Sequence, residues 1–521
     1  MKENSYHLAY HLFKSLSNSI SQTQLIDYGI PQPISFSKRK ILLFSIKLAE
    51  YLRKNCHSPR VGIVLPPGMG GTVANLAVLF SGKIPVNLNF SLGSSIARKL
   101  IKKAEIETLI TAEKMIEKFP EFPWTDHTIE MSSWFKKLAK APYKLLIDAF
   151  LLSLPISFSR YFLKIPKVVS SEEAVLLFTS GSSGDPKGVV LSHNNIISNC
   201  NQFDELDLFE EGASLLANLP LFHSFGFTVA TCFPLLHGVP FVTVPSPLDV
   251  KLGIKAIRNE KITFLLGTPT FLRGFLSKGE KEDFKSVQYI VAGAEKSAKS
   301  FIEKWETFAN CHYLEGYGLT EASPGISFNL PGSGTVRGSV GRLFKDIECK
   351  TIHPELRTDL SLGEKGLLCF KGPNIFSGYL NEEKKTKQVL TDDGWFITGD
   401  LGYVNQEGFL FIEGRLSRFS KIGGEMVPHG TVEDSIKKVF ATKMKEGSQL
   451  AILGRQDKSK GEQLILFTEE KINQTELRIS LTQAGLPNLW IPKEIKQVDK
   501  IPILSTGKID FVKLKDLVDT K

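Results

Sequence analysis

Cysteine is scarce and unpatterned. The 521 residues hold six, Cys56, Cys200, Cys232, Cys311, Cys349 and Cys369, with no C-x-x-C pair among them. That argues against a thiolate metal site or a disulfide framework and leaves reduced, buried thiols as the expectation. The opening residues, "MKENSYHLAYHLFKSLSNSI", lack a secretory apolar core and a small-residue cleavage site, so no signal peptide is expected and the chain is read as cytoplasmic. No basic run interleaved with aromatics and no zinc-finger spacing occurs, so nucleic acid is not indicated as a partner. Internal repeats and low-complexity tracts are also absent.

What remains is an ordinary globular composition, 42% hydrophobic and 23% charged. A chain this long exceeds what one core supports and is expected to split into a large body and at least one smaller domain. The formal charge of +9 favours anionic partners: nucleotides, coenzyme A, acidic proteins or lipid headgroups.

Short apolar runs alternate with helical stretches. "RVGIVLP", "IPVNLNF" and "IETLIT" read as strands, with a helix over "GTVANLAVLFSGK" between the first two. Later, "KITFLLGTP", "SVQYIVAGAE" and the run before "EGYGLTE" read as buried strands ending in polar or glycine-rich loops, the position where α/β proteins hold ligands. From about Gly399 the texture changes to shorter strands and turns, and a domain boundary is expected near Arg415 to Phe419.

One loop stands out, in "LLFTSGSSGDPKGVVLSHNN", Leu176 to Asn195. After an apolar strand, Gly181, Gly184 and Gly188 let backbone N–H groups approach a ligand closely, while Thr179, Ser180, Ser182 and Ser183 add hydroxyl donors. Donors that end in a point-charge cation, Lys187, suit a multiply charged anion such as a nucleotide triphosphate. The Walker A order is missing, because this lysine precedes its glycine and follows Pro186. A flexible surface loop is the alternative reading.

"YLEGYGLTEASP", Tyr313 to Pro324, frames Tyr317 with Gly316 and Gly318 and sets Thr320 beside Glu321. A flat aromatic suits a purine face, and a carboxylate near phosphates suits Mg²⁺. In "GWFITGDLGYVNQEG", Asp400 is placed to accept ribose hydroxyls. In "IPILSTGKIDF", Lys508 follows Ser505, Thr506 and Gly507; a lysine there is by default a solvated charge.

Taken in order, "TSGSSGDPKG", "YGLTE", "GDLG", "GR" followed by the Gly423-Gly424-Glu425 turn, and "STGK" resemble the adenylate-forming superfamily of acyl-CoA synthetases, luciferase and peptide synthetase adenylation domains. The resemblance covers nearly the whole chain. It implies an α/β fold with a large multi-subdomain body of β-α-β sheets, residues 1–415, and a small mobile α+β C-terminal domain, residues 416–521. It implies ATP and Mg²⁺ as cofactors. By the same resemblance, Thr179, Ser180, Gly181, Ser182, Ser183, Gly184 and Lys187 contact the β- and γ-phosphates, and Gly293, Ala294 and Glu295 form the adenine-side loop. Tyr317, with Gly318, stacks on adenine, Thr320 contacts the α-phosphate, Glu321 holds the metal, and Asp400 and Arg415 contact the ribose. His223, in "LPLFHSFGF", corresponds to the group beside the carboxylate substrate, although a lone histidine in an apolar run is by default a core residue. Lys508 corresponds to the catalytic lysine of the small domain, and the Gly423, Gly424, Glu425 turn serves the thiol step. Two residues after Arg415, where the family has Asp or Lys at its hinge, stands Ser417, so the hinge is unassigned.

"SGKIPVNLNFS" and "SRFSKIGGEMVP" most resemble bacterial acyl-[acyl-carrier-protein] synthetases, including the ligase half of 2-acylglycerophosphoethanolamine acyltransferase. The implied reaction is attack of a fatty acid carboxylate on the α-phosphorus of ATP, loss of pyrophosphate, and capture of the acyl-adenylate by a phosphopantetheine thiol. The expected acceptor is holo acyl carrier protein; the alternative is CoA, in a long-chain fatty acid–CoA ligase. Lys437, Lys438, Lys443 and Lys445 offer a basic face to an acidic carrier, or form a solvated lysine-rich helix. A non-catalytic nucleotide- or lipid-binding relative is a further reading, against which the retained Lys187, Glu321 and Lys508 stand.

Finally, Trp134 to Lys167 alternates lysines with apolar stretches. Its longest uncharged run, Ala149 to Ser159, is too short for the ~20 residues of a bilayer span. Two readings stay open: a basic amphipathic segment lying peripherally in a membrane interface, or a helical hairpin packed on the body.

Overall fold

The computed structural model describes residues 7–140, 143–167, 173–179, 186–422, 425–445, 447–457, 461–503 and 509–518. Its contacts divide the chain into a larger unit, built from residues 1–180, 186–348 and 370–396, and a smaller one built mainly from Cys349–Cys369 and Ile397–Lys521.

In the larger unit the expected β-α-β succession is present. Strands Ile84–Asn87, Arg60–Ile63, Thr108–Thr111 and His127–Glu130 lie side by side in that order, every neighbouring pair parallel. The fourth strand has no run of apolar residues and was not expected from its sequence. Helix Met69–Phe80 makes the crossover from the first strand in the chain to the second, and it is buried almost all round, which is why its residues read as apolar without a polar face. Asp27 fixes the start of this helix: one carboxylate oxygen accepts from the Met69 N–H at 2.8 Å and the other from Gly29 N–H at 2.8 Å.

A second sheet of nine strands carries the later loops. Leu215–Ala217, Phe264–Gly267, Tyr289–Ala292 and His312–Gly318 are consecutive parallel neighbours, and Gly325–Phe328 then turns back antiparallel to the last. The expected runs at "KITFLLGTP" and "SVQYIVAGAE" are thus strands, shorter than the apolar stretches that contain them. Helices Val250–Glu260 and Lys299–Ala309 contribute to the core beside it, where Leu265, Ile290, Phe284 and Trp305 are fully buried.

The strands on either side of the glycine- and serine-rich stretch, Glu173–Thr179 and Lys187–Ser192, belong to neither of these sheets and pair in an antiparallel hairpin, with Gly378–Tyr379 on the other side of the second strand.

In the smaller unit, one sheet takes the order Glu348–Ile352, Gly366–Lys371, Phe396–Val404, Leu410–Arg415. A five-stranded sheet follows, of Glu425–Pro428, Phe419–Ile422, Gly461–Thr468, Leu450–Asp457 and Glu494–Gln497. Its residues alternate between two apolar layers: Leu450, Ile452, Leu464 and Leu466 bury on one, Ala451, Leu453, Ile465 and Phe467 on the other. Both faces are covered, so these strands read as unbroken apolar runs rather than as an alternation. His429 sits in this interior, its Nε2 2.9 Å from Ser420 Oγ. Burial and the nearby charges of Arg418 and Lys515 hold its pKa down to about 3, which makes it a neutral core residue.

All six cysteines carry free thiols, five of them buried. No helix among the described residues is long and apolar enough to cross a membrane.

Candidate active site

Antiparallel pairing places Thr179 opposite Lys187 at the end of the hairpin where the two strands are connected. The strand is held tightly there. A Cβ on Gly188 would meet Leu176 Cδ1 and Leu380 Cβ at 3.2 Å, so the glycine serves packing as much as ligand approach. Lys103 donates to the Pro186 carbonyl at 3.4 Å and also pairs with Glu382. Burial works against the Glu382 charge, yet the ammonium groups of Lys103 and Lys385 outweigh it and hold the carboxyl below its ordinary range.

Lys187 and Glu321, far apart in sequence, meet through one tyrosine. The Lys187 ammonium lies 4.8 Å from the centroid of the Tyr379 ring, a cation on an aromatic face. The Tyr379 hydroxyl donates to Glu321 Oε1 at 2.8 Å. The face of the ring therefore carries the cation and its tip carries the carboxylate. Main chain reinforces this, since Phe376 N–H donates to the Glu321 carbonyl at 2.8 Å. Nothing in "NIFSGYL" marks Tyr379 as a site residue in the sequence; its partners are set by the third strand of the hairpin sheet.

The turn bearing Thr320 and Glu321 is rigidly framed. Asn374, fully buried, donates to the carbonyls of Ala322 and Gly325 at 2.7 and 2.8 Å. Asn199 donates to the Gly325 carbonyl and accepts from its N–H, at 2.9 and 3.0 Å. The glycines around Tyr317 are required by the chain itself: a Cβ on Gly318 would stand 2.2 Å from the Pro324 carbonyl oxygen, and one on Gly316 2.8 Å from Phe328. Tyr317 is half-buried, with its ring 6.0 Å from that of Phe370.

Two further loops converge on this turn. Ser224, adjacent to His223, has its hydroxyl 3.4 Å from that of Thr320. His223 is half-buried rather than a core residue, with its ring 4.9 Å from Phe222, which in turn meets Phe90 at 5.5 Å. The segment continues into a π-helical stretch, Phe225–Cys232, a local form that recurs at functional sites. Gly226 admits no side chain there, because a Cβ would fall 2.1 Å from the Pro220 carbonyl oxygen. On the other side, Gly293 approaches the backbone of the tyrosine loop, the nearest atom to an added Cβ being the Gly316 carbonyl oxygen at 3.6 Å. Ala294 adopts a left-handed φ of 69°, and the Glu295 carboxylate accepts from the Thr270 hydroxyl at 2.7 Å and its N–H at 3.2 Å. The structure thus joins Thr179, Lys187, His223, Gly293, Tyr317, Gly318, Thr320 and Glu321 in one unit.

The smaller unit holds its own candidates. Asp400 is buried and cross-strand to Arg415, whose Nε lies 3.0 Å from its carboxylate. The Thr398 hydroxyl accepts from Asp400 N–H at 3.0 Å and donates to the Leu368 carbonyl at 2.9 Å. Glu425 is exposed at the start of its strand. Ser180, Gly181, Ser182, Ser183, Gly184, Gly423, Gly424 and Lys508 lie outside the described residues.

Does the donor set fit Mg²⁺? Among the described residues no cluster of three or more His, Cys, Asp or Glu side chains forms a cage. A single carboxylate beside hydroxyl donors and a cation is the arrangement Mg²⁺ accepts, because it keeps several waters and takes its remaining ligands from substrate phosphates. Glu321 fits that requirement.

Residues 34–380 match the family model described as AMP-binding enzyme. A long-chain-fatty-acid–CoA ligase of Bacillus subtilis is 27% identical, over 95% of this chain and 94% of its own length. One of Salmonella typhimurium is 27% identical over 92% of this chain and 89% of its own. Among solved structures, ATP-bound MatB from Rhodopseudomonas palustris superposes with a TM-score of 0.81 at 23% identity, covering 98% of each chain. O-succinylbenzoate coenzyme A synthetase from Bacillus subtilis, in complex with ATP and magnesium, does so at 0.80 and 21%, covering 97% of this chain and 99% of that one. Those likenesses establish the adenylate-forming fold; the family match spans well over half of the sequence and contains the hairpin, Tyr317, Glu321 and Tyr379. The chain belongs to the AMP-binding enzyme family, as an acyl-adenylate-forming acid–thiol ligase that uses ATP with Mg²⁺.

Proposed function

We propose that this enzyme joins a long-chain fatty acid to coenzyme A. The observation that carries the reading is the correspondence, along nearly the whole of both chains, with the Bacillus subtilis long-chain-fatty-acid–CoA ligase. The apolar rings of Phe90 and Phe222 beside His223 are compatible with an acyl chain entering next to the Ser224–Thr320 pair.

The tasks of the residues then follow from the family resemblance. Lys187, with the hydroxyl and N–H donors of the loop before it, neutralises the phosphates that depart as pyrophosphate. Thr320 orients the α-phosphate from a turn that two buried asparagines hold still. Glu321 holds Mg²⁺, which when bound offsets the charge on the phosphate oxygens. Lys508 supplies a second cation to the adenylation step, and Asp400 with Arg415 contacts the ribose. Gly423, Gly424 and Glu425 serve the thiol step. No protein nucleophile is needed.

Tyr379 is a positioning residue, since it sets the spacing of Lys187 and Glu321. Tyr379→Phe keeps the ring face and loses the hydrogen bond, worth about 1–1.5 kcal/mol. Adenylation is expected to fall roughly threefold to tenfold, with the Mg²⁺ concentration for half-maximal rate rising and KM for the fatty acid unchanged. Tyr379→Leu also loses the cation–π contact, about 0.5–2 kcal/mol, and is expected to raise KM for ATP as well. ATP–pyrophosphate exchange at graded Mg²⁺ measures both; unchanged metal dependence in Tyr379→Phe contradicts the role.

An acyl carrier protein as acceptor is the second reading, and its support is thinner than the sequence suggests. Lys437 and Lys438 are exposed, but Lys443 pairs with Glu476 at 2.6 Å and Lys445 approaches Glu470 at 3.9 Å. Only part of the basic face is left for an acidic protein. Incubation with ATP, Mg²⁺ and fatty acids of graded length, offering CoA or holo carrier protein, is expected to yield the CoA thioester. Thioester on carrier protein alone reverses the assignment.

A further inference from the structure

From Met131 to Lys167 the chain folds into three helices, Met131–Ala139, Tyr143–Leu151 and Ile156–Phe162. One side of this element is anchored. Leu138, Leu152, Leu163 and Ile165 are buried, so Leu152 belongs to the packed side and is unavailable to lipid. The Ser159 hydroxyl donates to the carbonyls of Leu151 and Leu154, joining the last two helices. Arg53 donates to the Leu163 carbonyl at 3.4 Å, and Phe44 meets Phe135 at 5.1 Å. The hairpin thus packs on the body along one side.

The other side is apolar and uncovered. Tyr143, Leu146, Ile147 and Phe150, at helical spacing i, i+3, i+4 and i+7, and Phe158, Tyr161 and Phe162, at i, i+3 and i+4, are each 56–70% exposed. These are seven of the fifteen large apolar side chains exposed among the described residues, so this is a patch, whereas scattered single residues would need no explanation. Its charge has one sign. The segment's only acidic residue, Asp148, is turned inward, 2% exposed and 2.7 Å from Lys47 of helix Lys38–Asn55. Lys136, Lys137, Lys140 and Lys164 are exposed.

We infer that this face docks on the surface of an anionic lipid bilayer, with its aromatic and aliphatic side chains at the acyl boundary and its lysines among the headgroups. The helices lie on the membrane; none is long and apolar enough to cross it. A second copy of the chain is a poorer occupant, because a two-fold contact through this patch would set like charges against each other. That docking also delivers the acyl substrate rests on the fatty-acid reading above; the docking itself does not.

The test is co-sedimentation of the full chain with vesicles of phosphatidylcholine alone or mixed with phosphatidylglycerol, at low and high salt. Binding to the anionic vesicles is expected to exceed that to neutral ones by about tenfold and to weaken with salt. Phe150→Ser/Phe158→Ser/Phe162→Ser should lose about tenfold or more on anionic vesicles. Lys136→Glu/Lys137→Glu/Lys140→Glu should lose the preference for anionic lipid, and decides the matter if the first variant does not fold. Both should retain the melting temperature and adenylation of a short, water-soluble acid. The inference is overturned if the intact protein stays in the supernatant at low salt or if folded variants sediment like it. It is equally overturned if, without lipid, the patch proves to hold a dimer that the serine variant dissociates. Vesicle binding without fatty acid ligation would leave this inference standing and remove the substrate reading instead.

Discussion

Glu321→Ala is expected to lose about 10²- to 10³-fold in ATP–pyrophosphate exchange, the scale on which removal of a preorganised charge partner of the transition state is felt. The variant should nevertheless stay folded. The Glu321 carbonyl still accepts from Phe376 N–H, and Asn374 still holds Ala322 and Gly325. The lost bond from Tyr379 is worth about 1–1.5 kcal/mol, a shift of a few degrees at most in a protein of this size. Glu321→Gln separates charge from shape. Its amide oxygen can accept from the Tyr379 hydroxyl, so stability should match the parent while exchange stays low. An active glutamine variant with an unchanged Mg²⁺ requirement is inconsistent with Glu321 as the metal ligand.

Lys508→Ala is expected to show a loss of similar size, about 10²- to 10³-fold, confined to one half-reaction. In the proposed reaction this lysine meets the carboxylate and the α-phosphate during adenylation and takes no part in thiol attack. Acyl-adenylate formation should therefore collapse, while thioester formation from supplied acyl-adenylate should change by no more than about threefold. Measuring the two half-reactions separately decides it: equal losses in both remove Lys508 from its assigned step.

Sequence alone determined the family and most of the candidate residues, because the glycine–serine loop, the tyrosine–threonine–glutamate turn and the aspartate and lysine loops are local patterns in a fixed order. It also located the parallel strands at Arg60–Ile63, Phe264–Gly267 and Tyr289–Ala292, since strands covered on both faces appear as short unbroken apolar runs. The strand His127–Glu130 was not legible, having no such run.

Three matters were decided only by tertiary structure. Tyr379 is indistinguishable in sequence from any strand aromatic, and becomes the link between Lys187 and Glu321 only when Gly378–Tyr379 pairs with the hairpin strand. In sequence Gly316 and Gly318 are only the frame of Tyr317, whereas in the structure the nearest atoms to their missing side chains belong to the returning strand and the Pro324 carbonyl. In the 131–167 hairpin, periodicity shows that a helix has an apolar stripe but not which stripe the body will cover. The buried Asp148–Lys47 pair and the packed Leu152 and Leu163 set that rotation, leaving Phe150, Phe158 and Tyr161 outward. Local patterns follow from the chemistry of neighbouring residues, whereas these contacts depend on which distant segments the fold brings together.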